Sequence, residues 1–440
     1  MSANGKMEMF QRRRRRFMDA VGACSAAILP SAPVSVRSND VEYLYRQDSD
    51  FYYLTAFPEP ESVALFAPGN PDGEFVLFVR PRDKERETWT GTRAGIEGAI
   101  VDYGADKAFT IDELDRVVSR YLERAERVHY GFGLGDRMNT RILALIRTAQ
   151  EMRPRVGSGP TAILNPREIV HEARLTKEPE EIELMRRAIT ISAEAHKRAM
   201  AKARGGMFEW QVEAEVDYTF RSLGASGPSY PSIVASGPNA AILHHVQNDR
   251  ELHDGELLLI DAGCEYQYYA SDVTRTFPVH ARFSQLQREL YSIVLDAQLK
   301  AIETVKPGVH FDEPHDAALR VLVAGMISVG LLKGSVDDAI AQGSYRRFYM
   351  HRTSHWLGMD VHDVGLYRRG DKSRVLEPGM VLTVEPGIYV NANEDAAPDQ
   401  FRGIGIRIED DVLVTESGHE VLTAAIPKRI DEVESLTCDS

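Results

Sequence analysis

A chain of 440 residues, 43% hydrophobic and 27% charged, has the size and make-up of a globular protein of two or three domains. Its net charge of −14 excludes a nucleic-acid partner, because no basic stripe offsets phosphate repulsion. Cys24, Cys264 and Cys438 are odd in number and lack Cys-x-x-Cys spacing, which argues against a disulfide framework or thiolate zinc and fits a reducing, cytoplasmic compartment. Cys264 reads as a packing residue.

The basic run Arg12 to Arg16, followed by Phe17 to Ala27, superficially resembles a signal peptide, but its apolar part is short and interrupted by Asp19. The expected structure is an amphipathic helix leading into a strand at Ala26 to Pro30. Residues 62–67 and 75–80 read as strands joined by the turn Pro68 to Gly73, and 112–126 and 139–152 as helices with Asp112 as a cap. These elements predict a small α/β domain over residues 1–172. A break follows at Gly157-Ser158-Gly159-Pro160. Glu178-Pro179-Glu180-Glu181 opens a long helix, with proline in the first turn and acidic residues at the positive end of the dipole. Further helices are expected over 208–222 and 284–305. No stretch reaches the roughly 18 apolar residues of a membrane span; Val321 to Leu332 is too short and holds two glycines.

The second domain, 173–440, turns to strands. Asp254-Gly255 precedes the strand Glu256 to Ala262, and Gly263 to Tyr266 is expected to turn it back into Tyr268 to Phe277, setting Asp261 across from Asp272. In Gly405 to Asp410 the strand period of two places Arg407 and Glu409 on one face, where Arg407 would orient Glu409 or offset its charge. Thr383 and Glu385 share a face in the same way.

Single acidic residues are normally solvated. Asp261 and Glu385 depart from that rule by terminating apolar, strand-like runs. With Asp272, His355 and Glu409 they form a set of four carboxylates and one imidazole, which cannot gather in a buried place without cations and which suits two hard or borderline divalent metals. Metal-assisted hydrolysis is the chemistry this set supports. A second cluster is histidine: His244-His245 after an apolar run, and His351, His355 and His362 within twelve residues, able to bind metal or donate to an oxyanion or leaving nitrogen. Gly-x-Ser-x-Gly, Walker A and His-Glu-x-x-His motifs are absent.

At these residues the sequence resembles aminopeptidase P, the Xaa-Pro aminopeptidases among the "pita-bread" metallopeptidases. The resemblance runs through Ile260 to Tyr266, Ser271 to Pro278, His351 to Asp363, Glu385 to Tyr389 and Arg402 to Asp410, with Arg46 to Thr55 in the first domain. It implies an α/β (α+β) fold: the small N-terminal domain, shaping access and oligomerisation, followed by a pita-bread catalytic domain with a curved, mainly antiparallel sheet. It implies two divalent ions, commonly Mn2+, one on Asp261, Asp272 and Glu409, the other on Asp272, His355, Glu385 and Glu409. The expected substrate is a peptide with proline in second position, attacked at the Xaa-Pro bond by a hydroxide held between the metals. The resemblance assigns the oxyanion to His244; beside it, His351 and His362 are expected to position the substrate, and Glu385 is the candidate for moving a proton to the proline nitrogen. It further implies a homodimer or homotetramer and no membrane partner. Prolidase, a dipeptidase with the same ligands, is the alternative activity; a non-catalytic binding module would have lost ligands, and none is lost.

Overall fold

The computed structural model describes residues 3–133 and 135–438. These divide into two compact units, Met1–Arg174 and Leu175–Ser440.

The first unit is built on a six-stranded sheet in the order Lys107–Thr110, Phe75–Val79, Val63–Phe66, Ser25–Pro30, Arg127–Tyr130, Ala162–Leu164. Ser25–Pro30 runs antiparallel to Val63–Phe66 and parallel to Arg127–Tyr130. Its central strands are buried along their whole length, as strands covered on both faces must be. The expected N-terminal helix spans Ala3–Val21. Its arginine run is not a solvated tail. Arg13 is buried, with its guanidinium 4.2 Å from the Tyr53 ring centre, and Arg14 lies 4.5 Å from that of Phe75 while donating to the Leu54 carbonyl. Asp112 does not cap a helix. It lies inside a 3₁₀ turn, Ile111–Glu113, that precedes Leu114–Leu122, and neither start carries a side-chain cap bond.

In the second unit the long helix is Pro179–Lys202, with the Glu181 carboxylate accepting the Glu178 N–H at 2.9 Å. The helices Glu209–Ser222 and Gln285–Thr304 lie where the apolar spacing put them. Gln285–Thr304 packs closely on Glu313–Ser328: a Cβ on Gly325 would meet the Ile293 side chain at 2.3 Å. Every strand pair of this unit is antiparallel among the described residues. Short sheets follow one another: Ile233–Ser236, Leu257–Asp261 and Thr274–Pro278 in one, Val381–Val384, Asp410–Val414 and His419–Val421 in another, and the pair Gly387–Val390 with Ile404–Arg407. The helices cover the apolar side of these strands in one continuous core, and the polar side carries the site. No described helix is long and apolar enough to cross a membrane.

One expected register changes. Asp261 pairs with Thr274, not Asp272. At Gly263 the chain leaves the first sheet, and Cys264–Tyr266 pairs instead with Tyr269–Ala270 and Gly227–Pro228. The hairpin tip is Gln267-Tyr268, both at positive φ. Gly263 is required at the switch, since a Cβ there would sit 1.8 Å from the Ser271 carbonyl oxygen. Cys264 is buried, its thiol 3.2 Å from the Ala188 carbonyl and pushed up by burial to about 11, as a packing residue should be.

Candidate active site

A cavity of about 850 Å³ opens in the second unit, and Asp261, Asp272, His355, Glu385 and Glu409 all line it. The four carboxylates each arrive at or just beside a strand end, and His355 from the irregular segment before Trp356. Asp261 closes Leu257–Asp261, and Asp272 sits two residues before Thr274–Pro278. The Tyr230 hydroxyl bridges them, 2.7 Å from Asp261 Oδ1 and 2.5 Å from Asp272 Oδ1, so the two carboxylates converge although they are not cross-strand partners. Glu385 follows Val381–Val384, its N–H on the Thr353 carbonyl at 2.8 Å. Glu409 follows Ile404–Arg407, with its N–H on the Thr274 carbonyl and its Oε2 accepting the Thr274 hydroxyl at 2.6 Å.

His355 is oriented on both sides. Its N–H donates to the Thr383 hydroxyl, and Nδ1 faces the Trp356 carbonyl at 3.0 Å. That acceptor fixes the hydrogen on Nδ1 and turns Nε2 toward Asp272 Oδ2 at 3.3 Å and Glu385 Oε1 at 3.5 Å. Asp272, His355 and Glu409 offer ligand atoms all within 4.8 Å of one another.

The electrostatics show what this set lacks. Burial, reinforced by Asp272 and Asp261, pushes the Glu385 carboxyl up to about 8 against the pull of His355 and Arg407. Burial and the neighbouring carboxylates push Glu409 well above its ordinary range, and burial raises Asp272 too. Burial works against a charge on His355, but Asp272 and Glu385 lift it to about 9. Of the arginines described in the cavity lining, Arg407 reaches these four carboxylates, while Arg352 and Arg368 are paired with Asp312. The deficit of positive charge, the hard oxygen donors and the preset imidazole tautomer fit divalent cations.

Arg407 does not pair with Glu409. Its strand ends at Arg407, so the two-residue alternation stops before Glu409. Arg407 instead reaches Asp261 Oδ2 at 2.6 Å, and donates to the Thr274 and Tyr389 hydroxyls at 3.1 and 3.0 Å. It makes no direct hydrogen bond to Glu409, sharing only the Thr274 hydroxyl with it, but it still draws the Glu409 carboxyl down electrostatically, so it offsets that charge as expected.

The other three histidines also reach the cavity. His244 is exposed on the segment after the 3₁₀ turn Gly237–Ala241. His362 meets His355 edge-on, ring centres 4.4 Å apart, and burial and then His355 hold it neutral by lowering its pKa. It is placed by the next residue, Asp363, whose carboxylate is buried against Lys177 at 3.0 Å. His351 is pushed down to about 4 by burial and by Arg407. Its Nδ1 donates to the Arg352 carbonyl and its Nε2 lies 2.8 Å from the Tyr389 hydroxyl, which itself accepts from Arg407 and so turns its hydrogen to the imidazole. Both nitrogens of His351 are engaged within the protein.

Thr383, expected on the face of Glu385, lies 3.4 Å from Glu385 Oε1, whereas the roles of Tyr230, Thr274 and Tyr389 escaped the sequence reading. Thr274 carried a usable signal, since it lies two residues from Asp272 in a strand. Tyr230 carried none, standing between Ser229 and Pro231 outside any periodic run.

The family model for metallopeptidase family M24 matches residues 183–416, and that for the aminopeptidase P N-terminal domain matches residues 10–130. The Xaa-Pro aminopeptidase of Escherichia coli is 45% identical over 428 residues, 97% of each chain. The structure of an aminopeptidase from Pseudomonas aeruginosa superposes with a TM-score of 0.95 at 49% identity, covering 98% of each chain. Zinc-substituted E. coli aminopeptidase P in complex with product superposes with a TM-score of 0.94 at 44% identity, again over 98% of each chain. With both units matched and every expected ligand position lining one cavity, this chain belongs to the aminopeptidase P group of metallopeptidase family M24.

Proposed function

We propose that this protein is a metal-dependent Xaa-Pro aminopeptidase, removing the first residue from peptides with proline in second position. The observation that carries this is the gathering of four carboxylates and one oriented imidazole on one cavity wall, with too little positive charge to balance them. Asp261, Asp272 and Glu409 would hold one divalent ion, and Asp272, His355, Glu385 and Glu409 the other. The oxygen-rich donor set, with one imidazole and no thiolate, favours manganese. Two such ions supply Lewis acidity and charge neutralisation when bound.

The chain's own groups do the rest. A proline amide lacks an N–H, so the substrate cannot be gripped through that hydrogen and must be held by other contacts. The imidazoles of His244 and His362 stand at the cavity wall to donate to the carbonyl oxygen and to place the scissile bond. Glu385 lines the same cavity; it takes a proton from the attacking water and delivers it to the proline nitrogen. Arg407 holds Asp261 and, through Tyr389, the His351 ring. The first domain shapes access to the site and mediates assembly into a homodimer or homotetramer in the cytoplasm.

The test is hydrolysis of Arg-Pro-Pro-type tripeptides beside Xaa-Pro dipeptides by metal-stripped protein, with and without added manganese. Manganese-dependent release of the first residue from the tripeptides is expected. Activity confined to dipeptides would make the enzyme a prolidase, and no cleavage of either would overturn the assignment.

A further inference from the structure

His244 and His245 are consecutive, yet one is exposed on the cavity wall and the other is buried. The segment that carries them, 242–250, has neither helix nor strand to fix its shape. It hangs on side chains, and one of them is central. Glu209 opens the helix Glu209–Ser222, and its carboxylate is wholly buried. Its Oε1 accepts the Ser236 N–H at 2.6 Å, the Ser236 hydroxyl at 2.8 Å and the Asn239 amide at 3.1 Å. Its Oε2 accepts His245 Nε2 at 2.9 Å and the Arg250 N–H at 3.0 Å. One carboxylate therefore ties the strand end before the segment, the turn leading into it, its middle and its far end. A second anchor, Asn248, hooks onto the strand Ile233–Ser236 through Val234 N–H at 2.9 Å and the Ser232 carbonyl at 2.8 Å. Between the anchors Leu243, His244 and Val246 face the cavity.

Glu209, His245 and Asp249 also offer donor atoms within 4.8 Å of one another. They do not form a second metal site. His245 Nε2 is taken up by the Glu209 carboxylate at 2.9 Å, with the Asn239 amide 3.2 Å away, and both oxygens of Glu209 already accept donors. The cluster is a hydrogen-bonded knot. Burial alone would raise the Glu209 carboxyl; the Ser236, His245 and Arg250 donors overcome it and keep the group ionised.

We infer that Glu209, acting through His245, is a positioning residue that sets where His244 meets the substrate. This rests on the reading of the site as that of an Xaa-Pro aminopeptidase. Removing the carboxylate leaves buried donors on Ser236, His245 and Arg250 without an acceptor, and the segment must move to water them. A displacement of about 1 Å at a substrate contact costs up to roughly a hundredfold in rate.

The experiment uses the manganese-loaded full chain and a double-mutant cycle. Glu209→Gln should lower kcat on an Arg-Pro-Pro peptide by roughly ten- to a hundredfold, with KM and bound manganese nearly unchanged, and should speed amide hydrogen exchange over 242–250. In a His244→Ala background the same substitution should add no further loss. Should Glu209→Gln not fold, His245→Gln, which leaves Glu209 its other donors, carries the same cycle. An equal loss with and without His244, or unaltered exchange in 242–250, overturns the inference. Failure of the wild type to cleave any Xaa-Pro peptide overturns the functional reading instead, and the exchange measurement still decides whether Glu209 clamps the segment.

Discussion

Glu409 and Asp410 are neighbours in the chain, both wholly buried, and stand in opposite electrostatic states. Glu409 faces other carboxylates across the cavity and is pushed well above its ordinary range by burial and by Asp272, Glu385 and Asp261. Asp410 points the other way, into a knot of donors: Arg275 at 2.7 Å, Gln298 at 2.6 Å, Thr423 at 2.7 Å and the Lys428 ammonium. Burial alone would raise it, yet Arg275 and Lys428 hold it far below the usual carboxylate range. The contrast separates two uses of a buried acid. Asp410 is matched by protein cations and holds the fold; Glu409 and its partners are carboxylates that the described side chains do not balance, as suits a cation site. Burial does not distinguish them, but the sign of the pKa displacement does.

The largest effect should come from the unbalanced side. Glu385→Gln keeps the side chain's shape and removes its proton traffic, so turnover should fall by about 10²–10⁴-fold while the thermal unfolding transition stays cooperative; a folded variant with wild-type rates would remove Glu385 from the mechanism. Asp272→Asn should lose bound metal, read by elemental analysis, and two tightly held ions in that variant would contradict a shared ligand. On the matched side, Arg275→Met strands a buried carboxylate, and urea unfolding should show a loss of about 3–5 kcal/mol. A change below about 1 kcal/mol would mean that Lys428 alone suffices for Asp410. The two neighbours should then part company in metal-stripped protein at pH 7. Glu409→Gln replaces a carboxylate whose charge burial and its carboxylate neighbours oppose, and should cost less stability than Asp410→Asn, which should cost roughly 1–3 kcal/mol. Equal costs would erase the distinction drawn here.

The smallest effect extends the comparison to a base. His196 is buried under the site with its Nε2 donating to the Ala262 carbonyl at 2.9 Å, and burial lowers its pKa to about 4. The unfolded chain takes up this proton first, near the ordinary value of about 6.5. Its contribution is therefore complete above about 6.5 and is lost as pH falls from there toward 4. His196→Gln should flatten the fall in urea midpoint over that window; an unchanged slope would show that His196 does not titrate there.

Much of the site was legible because strand ends that terminate apolar runs in an acid are rare. Asp261 and Glu385 both do so, and both line the cavity. What stayed hidden depended on where strands stop. Period-two reading paired Arg407 with Glu409, but the strand ends between them, and Arg407 reaches Asp261 instead. The Asp261–Asp272 hairpin failed for the same reason: the sheet switch at Gly263 depends on Cys264–Tyr266 pairing with Gly227–Pro228, far back in the chain. The Tyr230 bridge and the Asp410 knot join residues distant in sequence, and no local pattern marks such pairs. The helices were easier, since caps and apolar spacing are written within one element.

Arg275 fixes an order of events during synthesis. Its guanidinium donates to the Ile426 and Pro427 carbonyls, 151 and 152 positions downstream, and also to the backbone of Thr274 and Glu409. At about 5–20 residues per second on the ribosome, roughly 8–30 s pass between the emergence of the donor and of its last acceptors. The strands Leu257–Asp261 and Thr274–Pro278 thus leave the ribosome well before the carbonyls that seat Arg275, and before Glu385 and Glu409, so the site closes only when the last part of the chain has been made.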